Sequence, residues 1–226
     1  MVLDFYCGDG RGGIHMIVGP MFSGKSTELF RQLNRYELAG KKTVLVKYAR
    51  DNRYDEDMAS THDRKKMKAI KATTICEVID TIRNYQVIGL DEGQFFTDIV
   101  THSEALANMG KTVIIAALDG DFRREPFPSI ARLYSLSEKV DKLSAVCRQC
   151  CYFASFTART TKSDEVEVIG GGEMYEAVCR RCYNEAREKQ ATENVGTEEN
   201  GICAPKRIAD DAMDTTSAVV IKRRNA

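Results

Sequence analysis

Short apolar runs alternate along this chain with stretches in which apolar residues recur at helical spacing. Ile14-His15-Met16-Ile17-Val18 is the first run and reads as a buried strand. Over residues 27–38, Leu29, Phe30, Leu33, Tyr36 and Leu38 keep a mostly helical spacing, closed by Gly40. Residues 43–48 form a second strand pattern. Ile75, Val78, Ile79 and Ile82 give residues 76–84 a helical face, and residues 86–90 run apolar again. A helix predicted over 99–109 is ended by Gly110, and the strand pattern 111–118 follows. Pro126 and Pro128 then delay the next helix to near Ser129. This alternation over about 140 residues predicts an α/β fold, a parallel sheet with helices on both faces.

The remainder breaks the pattern. Residues 1–13 are Gly-rich and polar, a flexible arm. Residues 49–63 have no periodicity and read as a loop. Its Asp51-Asn52-Arg53 and Thr61-His62-Asp63-Arg64 strings either reach a phosphate or substrate, or are a solvated charged surface; the pattern favours neither. Residues 14–145 form the predicted α/β domain, residues 146–188 a smaller unit, and residues 189–226 a polar, disordered tail without a helical stripe.

Charge narrows the partners. The 33 basic and 33 acidic residues cancel, so no global positive field recruits nucleic acid. The longest apolar runs fall far below the ~20 residues that span a bilayer, and residues 1–13 lack a secretory pattern. A cytoplasmic location, with no membrane or nucleic-acid partner, is the expectation.

Candidate chemistry begins at the end of the first strand. Gly19-Pro20-Met21-Phe22-Ser23-Gly24-Lys25-Ser26 reads G-x-x-x-x-G-K-S, a phosphate-binding loop between strand and helix. The glycines let backbone N–H groups converge on an anion, Lys25 adds positive charge, and the Ser26 hydroxyl suits Mg²⁺. The strand at 86–90 runs into Asp91-Glu92-Gly93-Gln94-Phe95-Phe96, and an acidic pair there is the partner such a loop needs, with Asp91 serving Mg²⁺.

Eight cysteines with no export signal favour thiols over disulfides. Cys147-Arg148-Gln149-Cys150 and Cys179-Arg180-Arg181-Cys182 form two C-x-x-C knuckles, which read as a Cys₄ zinc site. The gap between them exceeds the usual spacing of about 15–20 residues, so the metal would close a long loop. A redox C-x-x-C is the alternative, but it needs only one pair. Between the knuckles, Val166-Glu167-Val168-Ile169 leads into Gly170-Gly171-Gly172, either a close backbone approach to a ligand or a flexible turn.

These blocks, with Thr61-His62-Asp63-Arg64, resemble the thymidine kinases of the cytosolic, zinc-containing type over about residues 14–185. The resemblance implies a P-loop parallel sheet with flanking helices and a small Cys₄ zinc-binding lasso. It implies transfer of the γ-phosphoryl group of ATP to the 5′-hydroxyl of thymidine or deoxyuridine, a salvage step in DNA precursor synthesis. Glu92 matches the family's general base, and residues 19–26, Asp51, Asn52, Arg53, Asp91, Gln94 and Arg159 its ATP site. Met21, Phe95, Leu118, Phe122, Phe127 and Tyr175 match residues around the nucleoside, and Val166, Glu167, Val168, Ile169 and Gly170 a lasso whose backbone pairs with the base. Mg²⁺ with ATP, a homotetramer and feedback inhibition by thymidine triphosphate come with the family. Two other readings of the motifs stand beside it. A nucleic-acid-stimulated ATPase would need a basic groove and further motor motifs, and a zinc-ribbon interaction module would not need Lys25, Ser26, Asp91 and Glu92 together.

Overall fold

Parallel strands covered on both faces must be apolar throughout, and the first strand, β1 (Gly13–Gly19), is buried at every position. The computed structural model describes residues 11–50, 69–160 and 174–195. After β1 come α1 (Lys25–Leu38), β2 (Thr43–Tyr48), β3 (Ala69–Ala72), α2 (Ile79–Ile82), β4 (Val87–Asp91), α3 (Ile99–Asn108), β5 (Thr112–Leu118), α4 (Pro128–Tyr134) and β6 (Lys139–Lys142). Six strands form one all-parallel sheet in the order β3-β2-β4-β5-β1-β6.

Side chains leave successive strand residues on opposite faces, so β1 feeds two cores. Ile14, Met16 and Val18 pack with Ile99 and Leu106 of α3 and Ile130 and Leu133 of α4. Ile17 joins Leu29 and Leu33 of α1 on the other face. Gly89 on β4 lies directly beneath α1: a Cβ there would stand 2.6 Å from Leu33 Cδ1.

The sheet departs from the sequence reading at its edges. Neither β3 nor β6 was expected, because AIKA and KVDK carry no apolar run. Edge strands tolerate charge, since one flank is open. The helical face at 76–84 resolves into a 3-10 turn, Cys76–Val78, and the single turn of α2. The packed chain also begins before the expected boundary at residue 13. Gly12 lies against the backbone of Ala107 and Lys111, and Gly13 N donates to Lys111 O at 3.0 Å.

A second small core follows. β7 (Ala145–Val146) pairs with β8 (Phe153–Ala154), β9 (Phe156–Arg159) with β10 (Tyr175–Val178), and α5 (Arg180–Val195) closes it. Its centre holds Ala154, Ala177, Val178, Tyr183 and the cysteines. The helical backbone runs to Val195, past the tail boundary expected at 188. Its polar outer turns are rich in Glu, Ala, Arg, Lys and Gln, good helix formers that extend a turn already anchored by Cys182 and Tyr183.

His15 on β1 is buried, with Nε2 2.7 Å from Asp141 Oδ2 on β6. Burial pushes the imidazole below its ordinary value of 6.5; the Asp141 hydrogen bond opposes that and Lys139 adds to it. The unfolded chain therefore takes up this proton at higher pH than the folded one. The contribution of His15 to stability is complete above pH 6.5 and is lost as pH falls toward the folded value. Thermal melts should show a decline below pH 6.5 that His15→Asn flattens; identical slopes in both proteins would rule His15 out. Gly89→Val should lower the urea midpoint by the equivalent of about 1–3 kcal/mol, through overpacking against Leu33. An unchanged midpoint would mean that α1 has room to move.

Candidate active site

β1, β4 and β5 end side by side, with Gly19 opposite Leu118 and Asp91 opposite Ala116. Three loops therefore leave the same edge of the sheet. The first, after β1, is tight. Gly19 has φ 149, and a Cβ on it would meet Leu143 O at 2.5 Å. Gly24 has φ 81 and caps α1, so its N–H end opens toward the loop. Pro20 O accepts from Ser23 Oγ at 2.9 Å and from Lys25 Nζ at 2.7 Å. Phe22 is held at φ 63 and is exposed.

The second loop carries the acid pair, and the two carboxylates have different partners. Asp91 is buried, and its Oδ1 accepts from Ser26 Oγ at 2.8 Å. Glu92 has φ 59, which turns its side chain away from the path of Asp91. Its Oε2 accepts from Gln94 Nε2 at 2.6 Å, and Gln94 Oε1 accepts from Leu118 N at 3.0 Å. Gln94 thus ties Glu92 to the end of β5. Gly93 between them is forced: a Cβ would lie 2.7 Å from Ile115 Cγ2. Phe95 packs on Tyr48, with ring centroids 5.2 Å apart.

The third loop joins β5 to α4 and presents Phe122, while Phe127 packs on the core at the start of α4. The second domain leans on these loops. Met21 N donates to the buried Thr157 Oγ1 of β9 at 3.0 Å. Arg159, also buried, lies with its guanidinium 4.1 Å from the Phe122 ring centroid and 5.0 Å from that of Tyr175, and donates to the Tyr175 hydroxyl.

Cys147, Cys150, Cys179 and Cys182 bring their sulfurs within 4.8 Å of one another, with Cys150 and Cys179 at 3.6 Å. A tetrahedral zinc with bonds of about 2.3 Å needs sulfurs about 3.8 Å apart, so the spacing fits. Burial raises the Cys147 thiol, but hydrogen bonds from the N–H groups of Cys179, Cys150 and Gln149 outweigh it and bring it to about 6. Burial, hydrogen bonding with the Cys179, Cys150 and Cys147 side chains, and the charge of Cys147 push Cys182 up to about 12. Four thiols converging at this spacing are a donor set that suits a soft tetrahedral cation. Cys151, at φ 58 and exposed, only closes the knuckle turn, its N–H donating to Cys147 O at 2.8 Å.

The family model described as thymidine kinase matches residues 12–183. The thymidine kinase of vaccinia virus (strain Ankara) is 53% identical over 172 residues, covering 76% of this chain and 97% of that protein. The thymidine kinase of sheeppox virus (strain KS-1) is 54% identical over the same shares. The chain belongs to the thymidine kinase family. It is a kinase, and its reaction is the phosphorylation of thymidine. Among solved structures, the flagellar accessory protein FlaH of Methanocaldococcus jannaschii aligns with 70% of this chain and 77% of its own, at a TM-score of 0.42 and 12% identity, too distant to inform the site.

Of the residues expected in a thymidine kinase site, residues 19–26, Asp91, Glu92, Gln94, Phe95, Leu118 and Phe122 meet at this edge, with Arg159 and Tyr175 brought in by the second domain. Asp51, Asn52, Arg53 and Val166, Glu167, Val168, Ile169 and Gly170 lie outside the described residues, as does Thr61-His62-Asp63-Arg64. Thr157 escaped the sequence reading. A threonine in a short strand carries no motif, and its contact lies 136 residues away.

Cys179→Ser should lower zinc content below one per chain and leave the P-loop domain folded, its core being separate from that of the cysteines. Zinc stoichiometry equal to wild type would overturn the Cys₄ assignment.

Proposed function

We propose that this sheet edge moves the γ-phosphoryl group of ATP to the 5′-hydroxyl of thymidine, or of deoxyuridine, with Glu92 as general base. The division of the two adjacent carboxylates carries this reading. Asp91 is bonded to the P-loop serine and Glu92 to the Gln94 amide. An attacking alcohol must lose its proton as the new bond forms, and a carboxylate held beside the phosphoryl group takes it. Phosphoryl transfer otherwise depends on positioning and charge. Backbone N–H groups of residues 19–26, with Lys25, Arg53 and Arg159, would cradle the phosphates alongside Asp51, Asn52 and Gln94.

Ser26 and Asp91 would hold Mg²⁺, which when bound neutralises charge on the phosphates. Cys147, Cys150, Cys179 and Cys182 would hold zinc, whose work is to order the second domain. Met21, Phe95, Leu118, Phe122, Phe127 and Tyr175 would surround the nucleoside, with the backbone of residues 166–170 reading the base. A site that pairs specific polar groups rejects a base that leaves them unpaired. A homotetramer inhibited by thymidine triphosphate accompanies this reading. A cytoplasmic location accompanies it too, where thiols stay reduced. Among the described residues no helix is long and apolar enough to cross a membrane.

The purified protein, given Mg²⁺–ATP and each of thymidine, deoxyuridine, deoxycytidine and deoxyadenosine, should form monophosphate from the first two only. Glu92→Gln should retain ATP binding and lose about 10²–10⁴-fold in turnover. Turnover near wild type in that variant would remove Glu92 from its role.

A further inference from the structure

The loop between β5 and α4 is a closed unit. Asp121 Oδ1 accepts from Arg123 N at 2.8 Å and Glu125 N at 2.9 Å, and Asp121 N donates to Glu125 O at 2.9 Å. Gly120 and Pro126 bridge its base. Such a turn keeps its own shape, and what it does not determine by itself is where its tip rests.

Two side chains of the second core place the tip, Tyr183 of α5 and Phe156 of β9. Tyr183, buried next to Cys182, donates its hydroxyl to Phe122 O at 2.9 Å. The Arg124 guanidinium lies 4.3 Å from the Tyr183 ring centroid and 5.4 Å from that of Phe156. Arg124 has φ 69, a left-handed backbone that disfavours a side chain and suits glycine. The contacts of the guanidinium with two rings offset that strain. Tyr183 and Phe156 sit in the core built around the cysteines, so the tip is referenced to that domain rather than to the sheet. The opposite side of the tip is the Phe122 ring on Arg159.

We propose that Tyr183 and Arg124 form a latch that ties the Phe122 turn to the cysteine-anchored domain and thereby sets the affinity for the nucleoside. Both are positioning residues, acting through Phe122. The inference rests on the placement of Phe122 beside the nucleoside. Among the described residues, the P-loop's hydrogen bonds to Pro20 O, Asp91 and Thr157 involve neither latch residue. Arg159, on which Phe122 stacks, keeps its bond to the Tyr175 hydroxyl when the turn loosens, so loss of the latch should be felt by thymidine and not by ATP.

Steady-state kinetics of the full chain test this. Tyr183→Phe removes one hydroxyl and leaves the ring stack. It should raise the thymidine KM about three- to tenfold, the loss of one hydrogen bond, with ATP KM and zinc content unchanged. Arg124→Gly keeps the φ 69 turn but deletes the cation, and should do the same, whereas Arg124→Lys should lie nearer wild type. A residue that merely fills the core would give the reverse: a lower melting temperature, or both KM values rising together. That result, or an unchanged thymidine KM in both Tyr183→Phe and Arg124→Gly, would overturn the latch. Phe122→Ala separates the two failures. A raised thymidine KM there, with none in the latch variants, sinks the latch alone; no rise there sinks the placement of Phe122 and the latch with it.

Discussion

The alignment of parallel strand ends is the constraint on which the rest of this protein depends. With Gly19 level with Leu118, and Asp91 level with Ala116, the P-loop, the acid pair and the Phe122 turn must leave from one edge. A slip of one residue would reverse the facing of every side chain on the strand. Asp91 would then leave Ser26, and Ile88 and Leu90 would leave the core that holds the register. The apolar residues that fix the sheet therefore also fix which groups meet at this edge.

On that edge, the backbone gives two like charges different partners. Adjacent carboxylates on an extended strand would point to opposite faces. The left-handed turn at Glu92, followed by a glycine with no room for a Cβ, sends the second carboxylate along the edge, where the Gln94 amide meets it. The small core around the cysteines then reaches this edge from outside the sheet. Thr157 takes the N–H of Met21, and Arg159 stacks on Phe122. A small core of alanines, aromatics and four cysteines is too slight to order itself firmly without a cross-link or a metal. The donor set supplies the place for one.

Much of this was legible from local pattern. β1, β2, β4 and β5 fall where continuous apolar runs stand, and α1 and α3 stop beside glycines at φ 77 and φ 80. These elements were readable because both faces of the central strands are buried, and because a positive φ calls for glycine. β3 and β6 were not, since an edge strand of alternating charge has no signature apart from its neighbour. The last turns of α5 were missed for a related reason. A polar helix extending from an anchored turn shows no stripe.

The same division runs through the site. Local sequence determined the phosphate loop, the acid pair and the paired knuckles, because each works through a fixed spacing of few residues that the backbone turns into geometry. Four blocks together were enough to give the family. Tertiary structure alone decided which partner each group has: Ser26 for Asp91, Gln94 for Glu92, Thr157 for Met21, Tyr183 for the Phe122 turn. Apart from Gln94, these partners lie 61 to 136 residues away. A hydrogen bond depends on angstroms and direction, and at such separations only the packed sheet and the second domain supply them.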